Sequence, residues 1–244
     1  MKQTKTPSIR GRAYIAALGL LAAGALVPVP SALAAETESA IARGGRLYDK
    51  WFGENKAAKP TADHPAYPKG GKYGKDASWR CKECHGWDYR GKDGAYAKGG
   101  HATGIVGIAG AAGKDPAAIV AILKNKTHGY TDKMLSTKDM DDLALFVSKG
   151  QVDMTKYIDA ASNKPKGNAA KGAAYFNTLC AGCHGMDGKK LKDAPPLGSL
   201  ASNSAEMLHK ILNGQPAEAM PALRALDTQI AVDIVTHLQT LPAK

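Results

Sequence analysis

Cysteine is scarce in this 244-residue chain: there are four, with none left over to serve as a separate thiolate. Phenylalanine and tryptophan number three each, and aromatic residues make up only 6% of the chain. Beyond residue 34 no run approaches the ~18 unbroken apolar residues that a membrane-spanning helix needs. Alternating β-branched stretches are missing as well, which argues against a sheet-based fold. Acidic residues are outnumbered 22 to 33 by Lys and Arg, giving a formal charge of +11. No nucleic-acid-binding motif accompanies that excess, which therefore speaks of solubility and partners and not of nucleic acid. The rest is an ordinary globular composition, 44% hydrophobic and 23% charged, sized for one large domain or two small ones.

The first residues form a separate unit. Lys2, Lys5, Arg10 and Arg12 precede an apolar stretch from Ala13 to Val27, Pro28 and Pro30 break it, and Ala32-Leu33-Ala34 has the A-x-A form of a cleavage site. This pattern predicts a secretory signal peptide over residues 1–34, export to the periplasm, and a mature product that does not span the membrane. Arg10 and Arg12 are not adjacent, which disfavours a twin-arginine signal. Removal of this segment takes four basic residues and no acid, leaving +7.

All four cysteines fall in two copies of one pentapeptide, Cys81-Lys82-Glu83-Cys84-His85 and Cys180-Ala181-Gly182-Cys183-His184, each followed by Gly. A zinc ribbon sets its C-x-x-C pairs about 15–20 residues apart, and these stand 99 apart. A thioredoxin-like pair would accompany a βαβ pattern and would not require His after both copies. C-x-x-C-H is the attachment motif of haem c. Two thiols on one helical turn add to the porphyrin vinyl groups, and the next His is carried beneath the ring as the proximal iron ligand. The expectation is two covalently bound haem c, on Cys81 and Cys84 and on Cys180 and Cys183, with His85 and His184 as proximal ligands.

The chain also repeats around these motifs. Gly44-Gly45-Arg46-Leu47-Tyr48 precedes the first and Lys171-Gly172-Ala173-Ala174-Tyr175-Phe176 the second. After each comes a Gly-rich loop, then a short helix. The first of these helices is capped by Asp115 with Pro116 at its first position; the second runs from about Ser204 and closes at Asn213-Gly214. A last amphipathic helix ends each half, with Met140, Leu143, Ala144 and Val147 on one face in the first and Ala231, Ile234, Val235 and Leu238 in the second. The fold class expected is all-α. Residues 35–150 and 167–244 are the two haem-centred domains, and the polar stretch 151–166 is the linker.

On these residues each half resembles a class I c-type cytochrome domain, and the whole resembles a tandem dihaem cytochrome c. In that family Gly and an aromatic stand eight and four residues before the first haem Cys, as Gly172 and Phe176 do. The resemblance implies that Pro195-Pro196-Leu197 supplies a carbonyl to the His184 imidazole. The first half departs from the pattern through an insertion of about thirty residues between its Gly-aromatic helix and Cys81.

The distal ligands decide what each iron can do. Ala219-Met220-Pro221 resembles the family's distal Met-Pro, so Met220 is expected on haem 2. For haem 1 the candidates are His128 and Met134, with Met140 and His101 weaker. Met220 lies 11 residues before Ala231, and His128 lies 12 before the corresponding Met140, so the register favours His128 while Met134 stays as the alternative. Met140 belongs to an apolar helix face. His64, His101, His209 and His237 are expected to be solvated or locally hydrogen-bonded.

Two saturated irons imply an electron carrier, or an electron-transfer subunit of a larger dehydrogenase, in which protein and ligands tune the cofactor. Four haem propionates would bring the mature charge near +3, and Lys189, Lys190 and Lys192 beside the second motif fit a partner with an acidic docking surface. The competing reading is a haem enzyme, peroxidase-like or a sulfur-compound dehydrogenase, with haem 1 open on its distal side. The sulfur-oxidising sort would use a distal Cys thiolate, and no Cys is spare.

Overall fold

The computed structural model describes residues 30–244, with side chains from residue 34. The signal-peptide reading therefore lies almost wholly outside the described residues. These residues are helical, and their only β-type pairings are two isolated bridges, Gly91 with Val106 and Ile158 with Pro165. None of their helices is long and apolar enough to cross a membrane.

The first half is built on α1 (Pro30–Glu54), which bends at Lys50, where the backbone leaves helical geometry. It packs against α4 (Thr137–Leu145) and the π-turn Phe146–Gly150 that extends it. The expected apolar face of α4 is buried: Met140, Leu143, Ala144 and Val147 are at most 7% exposed. Ser136 caps α4 in a reciprocal box with Asp139. Between these helices lie α2 (Cys81–His85) and α3 (Pro116–Lys124), the latter starting as expected with the Asp115 carboxylate on the Ala117 N–H and Pro116 in the first turn.

The second half repeats the plan. Helix α6 (Ala169–Leu179) packs along α10 (Thr228–Leu238), whose Ala231, Ile234, Val235 and Leu238 are all buried. The haem-motif turn is α7 (Ala181–His184), and α8 (Leu197–Leu200) and α9 (Ser204–Asn213) follow, α9 ending at Gly214 with φ +89. The stretch 151–166 is more than a polar tether. It carries α5 (Met154–Tyr157) and buries Met154 and Ile158 against the core, two apolar side chains that its overall polarity conceals.

One device recurs in both halves. A Cβ on Gly172 would collide with the Asp233 carbonyl of α10, and one on Gly44 would collide with the Asp142 carbonyl and Phe146. Four residues on, Phe176 and Tyr48 are each almost completely buried. The small residue admits the partner backbone and the ring one turn later fills the gap beside it. Gly45 performs the same service on a second face, where Asn213 of α9 presses against it. Alanine is the better helix former by about 1 kcal/mol, yet Gly44→Ala and Gly172→Ala are expected to destabilise the protein by about 1–3 kcal/mol through overpacking. Thermal unfolding of the two variants against wild type measures this.

Helix α9 contacts both α10 and α1, so it serves the two halves at once. His209 on α9 is completely buried among Tyr48, Trp87, Tyr89 and Phe146 of the first half. Tyr89 Oη donates to its Nδ1 at 2.8 Å, and its Nε2–H donates to the Gly45 carbonyl at 3.0 Å. Lys210 reaches the buried Asp49 at 2.6 Å, where Arg80 also binds, and Arg224 donates to the Gly150 carbonyl at 2.7 Å.

Candidate haem sites

Each motif is a single helical turn closed by a left-handed glycine. Gly86 (φ +82) and Gly185 (φ +78) donate back to the Lys82 and Ala181 carbonyls at 2.9 and 2.8 Å. Only a residue without a Cβ takes this conformation freely, and it turns the chain away just after the His. Three residues beyond each His stands an Asp that caps the following turn: Asp88 accepts from the Arg90 N–H and Asp187 from the Lys189 N–H, both at 3.1 Å. The loop then returns to the His carbonyl, from Gly91 N–H at 2.9 Å and from Lys190 N–H at 3.0 Å. The repeated spacing His-Gly-x-Asp in the sequence is the signal for this turn, and the pentapeptide alone does not include it.

No disulfide joins any of the four cysteines. Burial pushes the Cys81 and Cys180 thiols up to about 11 and Cys84 to about 12. The first pair sits under aromatic cover: Trp51 Nε1 and Tyr130 Oη both donate to the Trp79 carbonyl, at 3.0 and 2.9 Å. The second pair is more open, with Cys183 exposed and Met186, Leu179 and Leu191 at the surface nearby.

The first site brings two histidine rings near one another. His85 and His128 have ring centres 6.2 Å apart and planes within 19°. That is too far for direct stacking. With a metal–nitrogen bond of about 2.0–2.1 Å on each side and about 1.1 Å from nitrogen to ring centre, two imidazoles sharing one ion stand roughly 6 Å apart. The Nδ1–H of His85 donates to the Val106 carbonyl at 2.7 Å, which leaves Nε2 with its lone pair free. The Nδ1 of His128 makes a longer contact, 3.4 Å, with Asn125 Oδ1, whose oxygen also takes the His128 backbone N–H at 3.0 Å. Burial lowers the pKa of both rings, favouring the neutral form in which imidazole ligates. These residues are of the kind that would hold an iron porphyrin: two thiols for attachment, one imidazole oriented by a backbone carbonyl, and a second imidazole nearby.

Met134 is not part of that pairing. It lines a polar recess with Arg43, Glu54, Asn55, Asp132 and Asp139, and Asn55 Nδ2 donates to its carbonyl at 2.9 Å. Met140 is fully buried core. His101 is locally bonded, to the buried Glu83, and lies between Tyr73 and Tyr96 with ring centres at 4.1 and 4.6 Å. His64 is bonded as expected but buried, not solvated; His209 likewise is bonded and fully buried, although its bonds run across the seam to the first half. His237 touches the Thr240 hydroxyl through Nδ1 at 3.3 Å, while its Nε2 is buried without a partner.

The second site is less completely assembled. The ring of His184 is partly buried, which lowers its pKa. No hydrogen bond joins it to the carbonyls of Pro195 or Pro196, so the expected acceptor is not engaged there, and Pro196 instead stands as the N-cap of α8. The Val106 carbonyl, 21 residues beyond His85, does this work in the first half, where spacing gave no hint of it. Among the described residues no second imidazole faces His184. Met220 is half-buried and lines a recess whose far wall is α1, with Ala35, Glu38, Ala42 and Arg46.

Residues 167–238 match the family model described as cytochrome c oxidase, cbb3-type, subunit III. This segment is similar to a c-type cytochrome domain. The match contains Cys180, Cys183, His184 and Met220, and a cytochrome domain implies covalently bound haem c and a part in electron transfer. Residues 35–150 lie outside it. No curated protein and no solved structure matches the chain.

Proposed function

We propose that the chain is a periplasmic dihaem c-type cytochrome, made of two tandem class I domains, that carries single electrons between partner proteins. The observation that supports a haem in the first half most directly is the close pair of rings His85 and His128 beside Cys81 and Cys84, which no disulfide joins. The repeated Gly-aromatic helix packing and the repeated His-Gly-x-Asp turn support it further.

In this reading Cys81 and Cys84 tether haem 1, His85 and His128 hold its iron, Cys180 and Cys183 tether haem 2, and His184 and Met220 are its axial pair. Haem c bound in this way supplies one-electron exchange between ferrous and ferric iron. The chain's contribution is to orient the ligands and fill the coordination sphere, so that no substrate position stays open. The carbonyl of Val106 fixes which His85 nitrogen is free. His–Met ligation raises a reduction potential relative to His–His, so haem 2 takes the higher value of the two. The partner is a redox protein, free or within a larger dehydrogenase, with an acidic face that meets the lysines near exposed Cys183, among them Lys190 and Lys192.

Intact mass and haem content test the count. Protein matured with its haems should carry two per chain, and the double replacement of Cys81 and Cys84 by alanine should carry one. A wild-type chain with a single haem ends the dihaem reading, and strong CO binding by the ferrous wild type would favour the enzyme.

A further inference from the structure

The segment inserted before the first haem motif has a definite destination. His64, within it, is 6% exposed and held on several sides. Its backbone N–H donates to Ser78 Oγ at 2.9 Å, and its ring meets Trp79 edge-on with centres at 4.5 Å. Trp79 Nε1 in turn donates to the Ala62 carbonyl at 2.9 Å, so the insertion closes on itself just before Cys81. The Ala66 N–H donates to His64 Nδ1 at 3.1 Å. An acceptor at Nδ1 leaves the proton on Nε2, and Nε2–H donates to the His128 carbonyl at 2.9 Å. Tyr130, two residues beyond His128, is bound to the same stretch through its hydroxyl on the Trp79 carbonyl.

We propose that His64 is a positioning residue of the first haem site, and that the inserted segment holds the 125–130 loop so that His128 faces His85. This rests on His128 being the distal ligand of haem 1. His64 touches no iron ligand atom; it acts through the backbone of His128. One donor from a pinned, buried ring costs little ordering entropy, and it fixes the partly buried His128 carbonyl in place. The loop it restrains is short and ends in glycine and tyrosine, so release of the carbonyl lets the imidazole swing from its place.

The test uses the full-length, haem-loaded protein and reads the ferric spin state of haem 1 and the fraction of ferrous haem 1 that binds CO. His64→Phe keeps a ring against Trp79 but has no donor. It should raise the CO-binding fraction about fivefold, the change expected from losing one hydrogen bond of about 1 kcal/mol, with high-spin signal appearing in the ferric form. His64→Gln, which restores a donor at similar reach, should return both readings close to wild type. If His64→Phe does not fold, His64→Asn takes its place, since it keeps an acceptor for Ala66 but cannot reach His128. Unchanged spin state and CO binding in the donor-less variant overturn the proposal, and so does equal damage in His64→Gln, which would assign the effect to packing. His128→Ala in the His64 background reports separately on the ligand itself: if haem 1 stays low-spin there, the ligand reading falls and takes this inference with it.

Discussion

On the dihaem reading proposed above, replacing His128 with alanine should turn haem 1 from six-coordinate low-spin to high-spin and open it to CO, while Met134→Leu should leave both haems low-spin. The asymmetry follows from placement. His128 stands with its ring 6.2 Å from that of His85 and nearly parallel to it. Met134, six residues on, has its carbonyl tied to Asn55 and borders a charged recess with Arg43 and Asp139. Its side chain also packs against the hydrophobic core. Leucine conserves the volume of methionine, so any fold cost of Met134→Leu stays below about 1.5 kcal/mol. Ferric absorption and electron paramagnetic resonance, with CO titration of the ferrous protein, read the outcome. Loss of low-spin haem 1 in Met134→Leu, with His128→Ala unaffected, reverses the assignment.

The second large effect lies at the seam between the halves, and it depends on pH. Burial drives the pKa of His209 down to about 3, against the partial support of Asp49 and with Lys210 and Arg224 pushing the same way as burial. The ring is neutral in the fold and titrates near 6.5 when unfolded. The unfolded state therefore binds the extra proton between these values. The stability due to neutral His209 is complete above about pH 6.5 and declines as pH falls toward 3. At pH 5 the loss from this group alone is about 2 kcal/mol. His209→Gln keeps an acceptor and a donor without a titrating ring, so its stability should vary between pH 7 and pH 5 by about 2 kcal/mol less than wild type. Denaturant unfolding of the holoprotein at the two pH values measures the difference; parallel slopes for the two proteins would show that His209 does not titrate on unfolding. Asp49 adds its own loss only at lower pH. Burial alone would raise it, but Lys210 and Arg80 carry it below the usual carboxylate range, so its contribution persists above about pH 3.9 and fades as the pH falls through the depressed value.

What the sequence made legible was local. The two motif turns, the Asp115-Pro116 start of α3, the Asn213-Gly214 end of α9 and the apolar faces of α4 and α10 depend on neighbours within a few residues, and they stand where spacing put them. The count that favoured His128 over Met134 also relied on a local register, measured back from α4, and the His128 ring lies 6.2 Å from that of His85. The rest depended on long-range closure. Nothing near His85 announces Val106 as its acceptor, 21 residues away, and nothing in the composition of 151–166 announces that Met154 and Ile158 are core. His209 looked like one more surface histidine because its helix is short and mixed. Only the arrival of α9 against Tyr48, Trp87 and Tyr89 makes it an interior group. The insertion was opaque for the same reason, since its purpose lies in a loop 64 residues downstream.

The shared position of α9 has a kinetic consequence. With Asn213 seated against Gly45, Lys210 fixed on Asp49 and Arg224 on the Gly150 carbonyl, the two halves cannot hinge without breaking several buried contacts at once. Redox centres carried by the two lobes would keep a constant separation, so exchange between them would run at one intrinsic tunnelling rate. Solvent viscosity, which slows proteins that must swing their lobes together, should leave that rate untouched.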